Sequence, residues 1–228
     1  MEVLTKKVKH TIPTRWDEIK LSLYLKYYNS IKGLKPEDEG YNEEVLRKFA
    51  HYICLLHENL FPALEMETVH EIGENMTRMF KQTSSMPLVS KFSIGDTKYG
   101  FIPNLQDLTY GEYVDLTLYG QKLWEEDNVY KFLSILYRPI KSEKGEEYLL
   151  DDYSGTSTIR VDIFKTHVTC DVVWGAISFF LLLQLALVNS TTFYLTDLTQ
   201  EIQQELKQIL RTNGEHIKQS IHWLEAGL

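Results

Sequence analysis

The chain reads as a mainly α protein: a multi-helix domain around one central apolar helix, with one or two small β-hairpins inserted as a minor component. Three observations predict this. Apolar residues recur at steps of three and four along most of the sequence. The stretch 172–188, VVWGAISFFLLLQLALV, is apolar on every side of a helix. Near Lys91 the period changes to two, the signature of strand.

Taken in order, Thr14 followed by Asp17 resembles a capping box with Asp in place of Glu, and Trp16, Ile19, Leu23, Tyr27 and Ile31 follow at helical spacing. Gly33 and Pro36 end that helix. Asn42 is placed as the next N-cap, with Glu43 and Glu44 suited to the helix dipole, and a stripe from Leu46 through Phe49, Ile53 and Leu56 to Leu60 stops near Pro62. Val69, Ile72, Met76, Met79 and Phe80 mark a third helix, weakened by Gly73. Phe92 and Ile94, then Tyr99 and Phe101, alternate around Gly95-Asp96 and predict a hairpin.

Thr109 and Glu112 form a full S/T-x-x-E capping box, and the helix it opens carries Tyr113 and Leu116 and continues through Gly120 to Leu123 and Trp124. Asn128 opens another, which Arg138-Pro139 must end or kink. The polar segment 140–155 reads as a loop or a second hairpin. After the apolar stretch, Leu198, Ile202, Leu206, Ile209 and Leu210 predict an amphipathic helix, and Ile217, Ile221 and Leu224 a last short stripe. The expected organisation is one domain over 1–228, within which 12–86 forms a helical layer and 87–228 a lobe of hairpin plus helices.

With 228 residues, 43% hydrophobic and 25% charged, the chain can bury a substantial core without a disulfide or a metal. Its net charge of −8 lacks the basic footprint of a nucleic-acid binder, so no sequence-specific nucleic-acid partner is expected. Residues 1–13 contain lysines but no apolar core of signal-peptide length. The 172–188 stretch has three readings: a buried central helix, which is favoured, a membrane helix, or a helix buried only in an assembly. At 1.5 Å per residue it reaches about 26 Å, short of a hydrocarbon core of roughly 30 Å, and it has no basic flank.

The residues do not converge on a recognisable chemistry. His57-Glu58 and His70-Glu71 each begin like a zincin helix, but neither has the second histidine one turn on that completes a zinc pair. Cys54 and Cys170 lie in apolar surroundings, which raise a thiol pKa, and read as buried thiols of a reducing compartment. No glycine-rich phosphate loop is present. Asp107, Glu112 and Asp115 cluster at a helix start, where capping already accounts for Glu112, and Asp151-Asp152 has no third ligand at calcium-loop spacing. No catalytic, cofactor or metal residue is therefore assigned. What exceeds background is the 12% aromatic content. Tyr and Trp favour interfaces because a large apolar body ends in a hydrogen-bonding tip, so Tyr24, Tyr28, Tyr110, Tyr119 and Trp223 are the candidate interface residues.

Four stretches carry a family pattern: Ile12-Pro13-Thr14-Arg15-Trp16-Asp17-Glu18-Ile19; Phe101-Ile102-Pro103-Asn104-Leu105 running into 108–116, LTYGEYVDL; Leu133-Ser134-Ile135-Leu136-Tyr137-Arg138-Pro139-Ile140; and Asp171-Val172-Val173-Trp174-Gly175-Ala176. Their order over about residues 12 to 185 resembles virion or tail-module proteins of tailed bacteriophages, especially the crAss-like phages of gut Bacteroidetes. The resemblance implies a non-enzymatic component of the neck or tail, a homo-oligomeric ring whose partners are other phage structural proteins, assembled in the host cytoplasm and kept in the virion. It brings no catalytic residues. Two other classes are held beside it: a cytoplasmic tail-assembly chaperone or cargo adaptor, and a membrane-associated protein anchored by 172–188.

Overall fold

The computed structural model describes residues 2–5, 8–105, 108–145 and 147–191, with side chains described over 12–105, 108–145 and 147–180. It is mainly α with a four-stranded antiparallel sheet as the minor component, the fold class expected. Among the described residues the chain divides into two compact units: 2–86 with Thr169–Asp171, and Pro87–Val168 with 172–191.

The first unit begins with a hairpin that the sequence reading missed, β1 (Glu2–Thr5) against β2 (Val8–Thr11), in register Glu2↔Thr11 to Thr5↔Val8. The first helix starts later than its apolar spacing predicted. Trp16–Glu18 is a short 3-10 turn, the Thr14 N–H donates to Glu18 Oε2 at 2.7 Å, and α1 runs Leu21–Ile31. Tertiary contacts explain the delay. Trp16 is buried and donates its indole N–H to the Met79 carbonyl at 2.9 Å, while Ile19 and Lys20 are extended, pairing with Cys170 (N–H to Ile19 carbonyl, 2.8 Å) and with Thr169.

α2 (Tyr41–Tyr52) is capped by Gly40 at φ 77°, a left-handed conformation that glycine adopts without penalty, so Asn42 lies inside the helix rather than at its cap. The stripe read as one helix to Leu60 is broken after Ile53: Leu55 takes φ 55°, and Glu58–Ala63 is a separate 3-10 segment containing Pro62. α3 (Met66–Gln82) forms as expected, with Ile72, Gly73, Met76, Met79 and Phe80 buried. The core of the unit is aromatic: Trp16 meets Phe80 edge-on at 5.2 Å, and Phe49 meets Tyr27 edge-on at 5.7 Å.

In the second unit β3 (Lys91–Ile94) and β4 (Thr97–Phe101) form the expected hairpin. The capping box is present in full: Thr109 Oγ1 accepts from the Glu112 N–H, and the Thr109 N–H donates back to Glu112 Oε2 at 2.7 Å. It opens α4 (Tyr110–Gly120), which stops at Gly120, so Leu123 and Trp124 are buried from a turn and not from a continued helix. α5 (Asn128–Leu136) leads straight into β5 (Tyr137–Lys144), which pairs with β6 (Glu147–Leu150), giving the sheet order β3-β4-β5-β6. Pro139, opposite Tyr99, ends the helix and sits beside a register shift at Ile140/Ser142, where a missing N–H is tolerated.

α6 (Thr158–His167), capped by Ser157, was not foreseen; only Val161 and Phe164 are buried on it, which leaves too faint a stripe to read. α7 (Cys170–Thr191) contains the apolar stretch. Val172 through Ser178 are buried on all sides, with Trp174 against Trp124 at 5.6 Å between ring centroids. Gly175 lets the helix backbone meet another segment closely: a Cβ there would lie 2.5 Å from the Pro87 carbonyl oxygen.

Candidate interaction surface

The capping box fixes which way α4 faces. Glu112 is pulled inward, its side chain 3% exposed, to pair with Arg138 of β5 at 3.0 Å, whose side chain is 12% exposed. Asp115, one turn on, accepts a hydrogen bond from the Tyr153 hydroxyl; burial, and then that contact, push the Tyr153 phenol well above its ordinary value. Both charges of the helix are thereby turned toward the protein. What remains outward is Tyr110, 83% exposed, with Tyr113, Val114 and Leu118, 57% exposed. At spacings of three, four and eight residues these side chains lie on one stripe of the helix, and no charge interrupts it. Exposed apolar side chains scattered singly need no explanation, but a continuous stripe marks a contact site.

The sequence-based candidates fare unequally. Tyr110 is the most exposed member of the stripe, and Tyr119 is half-buried with Lys131 Nζ 5.2 Å above its ring. Tyr24 and Tyr28 are corrected: both are buried, stacked on each other at 6.4 Å, so their rings belong to the core of the first unit and not to a surface. Trp223 lies outside the described residues. Val114 and Leu118 are not among the residues expected at an interface, although their spacing of four and eight residues from Tyr110 is legible in the sequence.

Beside α4 is an open cleft of about 350 Å³, lined among others by Thr109, Glu112, Arg138, Tyr148 and Tyr153. Arg138 is matched by Glu112 inside the protein, and Asp152 at the rim is held by Lys141 at 2.7 Å, which together with its charge keeps the carboxyl below its ordinary value. Of the three-carboxylate cluster, Asp107 lies outside the described residues, and Glu112 and Asp115 each have a structural partner.

Of the histidines weighed as metal ligands, His57 caps the 3-10 segment and His70 pairs with Glu74 at 3.3 Å on an exposed helix face. Among the described residues no group of three or more His, Cys, Asp or Glu is placed to hold a metal ion. Cys54 and Cys170 are free and buried; burial pushes the Cys54 thiol up to about 12 and, with Asp171 nearby, raises that of Cys170 well above its ordinary value. Neither is a nucleophile at neutral pH.

Among the described residues no helix is long and apolar enough to cross a membrane, and residues 181–188 of the apolar stretch lie outside those whose side chains are described. What the fold and this surface define is a mainly α protein presenting an uncharged helical face to solvent. Comparison with known protein families, with curated proteins and with solved structures finds no match to the chain.

Proposed function

We propose that this protein is a structural subunit of a tailed-phage particle, non-enzymatic, that assembles with copies of itself into a ring of the neck or tail and contacts other phage structural proteins there. The observation that carries the reading is the α4 face: Tyr110, Tyr113, Val114 and Leu118 outward, both carboxylates of the helix bound inward. A face of that kind is stabilised by covering it, and a repeated copy of the chain supplies the cover at no cost in new genes or ligands. The phage context rests on the resemblance of the four stretches. The net charge of −8 keeps free subunits apart until they are placed. Mass spectrometry of purified particles tests it: many copies of the chain per particle are expected, and particles that lack it overturn the reading.

One observation favours a second reading, the cytoplasmic assembly chaperone or cargo adaptor. The exposed side chains of the stripe amount to roughly 400 Å², about half of what one partner buries in a stable standard interface. A face of that size by itself suits a transient partner. This reading expects the chain on assembly intermediates and absent from finished particles.

A further inference from the structure

The outward residues of α4 are ordered by size. Tyr110, Val114 and Leu118 follow one another at steps of four, so they form one ridge of the helix, with Tyr113 beside it. Val114, the smallest of the three, is in the middle, and a larger apolar side chain stands at either end. Packed helices most often cross where ridges of this four-residue spacing interlock, and the side chains at the crossing set how closely the axes approach. A ridge that runs large, small, large matches itself about a two-fold axis: each end meets the opposite end of the other copy, and the middle meets the middle.

Charge allows a copy to come close on this face. The chain has a net charge of −8, so two copies repel wherever acids face acids. On α4 they meet without that cost. Thr117 and Gln121, which flank the ridge, are uncharged, and the acids of the helix, Glu112 and Asp115, are held inward by Arg138 and Tyr153. A basic partner finds no acid on the ridge to hold it, and an acidic partner finds no base.

Size sets the strength of such a contact. With roughly 400 Å² of exposed stripe on each copy, a pair buries roughly 800 Å² in all, below the ~1,200 Å² at which stable interfaces begin. The pair is therefore reversible in dilute solution and becomes firm where an assembly holds copies at high local concentration.

We propose that α4 pairs with α4 of a second copy about a two-fold axis, the helices crossing at Val114 with Tyr110 of each copy against Leu118 of the other. This rests on the assembly reading above and gives the α4 face its matching surface. A two-fold contact closes on itself, so α4 joins copies in twos, and the ring is built from these pairs.

Val114→Cys in the full-length protein tests the geometry, because a residue on the axis meets its own counterpart. The native Cys54 and Cys170 are buried and contribute little background. Ile159→Cys, at a position 74% exposed on α6, measures disulfide formation by random collision. Under mild oxidation Val114→Cys is expected to form a disulfide-linked homodimer at least about tenfold faster than Ile159→Cys, since pairing raises the effective concentration of the thiols. A mixture of Tyr110→Cys and Leu118→Cys proteins is expected to link as the mixed dimer in preference to either homodimer.

Light scattering of the unsubstituted protein over a concentration series separates this geometry from the assembly reading. A multimer whose Val114→Cys variant links no faster than the Ile159→Cys control overturns the two-fold pairing and leaves the assembly standing, with α4 covered by a different surface of the next copy. A protein that is monomeric at every concentration overturns both.

Discussion

Gly175→Ala is the most informative single substitution in the core. Two effects oppose each other. In a helix interior alanine is better than glycine by about 1 kcal/mol, so propensity alone predicts stabilisation. Against that, the new Cβ would lie 2.5 Å from the Pro87 carbonyl oxygen and 3.3 Å from Leu88 Cα, both backbone atoms that cannot swing aside like the end of a side chain. Overpacking of a close-packed core costs typically 1–3 kcal/mol, and here Val173, Trp174 and Ala176 around the site are fully buried, which places the cost at or above the upper end. The net expectation is a loss of about 2 kcal/mol, or a fall in Tm of about 4–8 °C for a chain of this size. Gly33→Ala is the matched control: nothing lies within 4 Å of its Cβ and its φ is not positive, so a change within about 0.5 kcal/mol is expected. Thermal and urea unfolding of the three proteins decide. A Gly175→Ala variant as stable as the parent, or more so, would refute the close approach of α7 to the Pro87–Leu88 backbone.

Three further substitutions probe the polar groups. Tyr27 is fully buried and its hydroxyl has no hydrogen-bond partner among the described residues, so Tyr27→Phe should be neutral or stabilising by up to about 1 kcal/mol; a clear loss of stability would mean that the hydroxyl is bonded. Glu112→Ala strands the largely buried Arg138 side chain and removes the return bond of the capping box to the Thr109 N–H, and should cost about 3–5 kcal/mol, while pairing Glu112→Gln with Arg138→Met should cost clearly less; equal losses in urea melts would show the two residues uncoupled. Hydrogen bonds from Lys98 and then Lys91 hold the Glu143 carboxyl below its ordinary value of 4.5. The unfolded chain therefore takes up a proton first as pH falls, so this contribution is complete above that value and is lost as pH drops through the lower folded one. Urea midpoints followed below about pH 4.5 should fall less steeply for Glu143→Gln than for the parent, and parallel curves would contradict the assignment.

Much of the fold was legible because it is written locally. The Thr109–Glu112 box, the helical spacing of Val69 to Phe80, and the period-two pattern around Gly95-Asp96 each depend on residues within a few positions, and all three appear as read. The failures have a common cause in distant partners. Trp16 and Ile19 have helical spacing, but Met79, 63 residues away, holds one and Cys170 the other, and the helix yields to those contacts. The segment 2–11 holds no Gly, Asn or Pro to announce a hairpin, and α6 buries too few side chains to show a stripe.

At the candidate surface the residue types were visible but their sidedness was not. Tyr24 and Tyr110 look alike in sequence; one is in the core and the other open, and what separates them is the inward pull of Glu112 and Asp115 on α4 by Arg138 and Tyr153, residues 26 and 38 positions further along.

The central claim is that the uncharged face of α4 joins copies of the chain. Substituting Val114→Glu and Leu118→Glu together puts two charges on that face without touching a buried side chain, so folding should be unchanged by circular dichroism. The mass in solution, followed by light scattering across a concentration series, is the direct measurement. The account predicts a multimer for the parent and association at least about tenfold weaker for the double variant. A parent that stays monomeric throughout the series, or a variant whose mass follows the parent's, would contradict it.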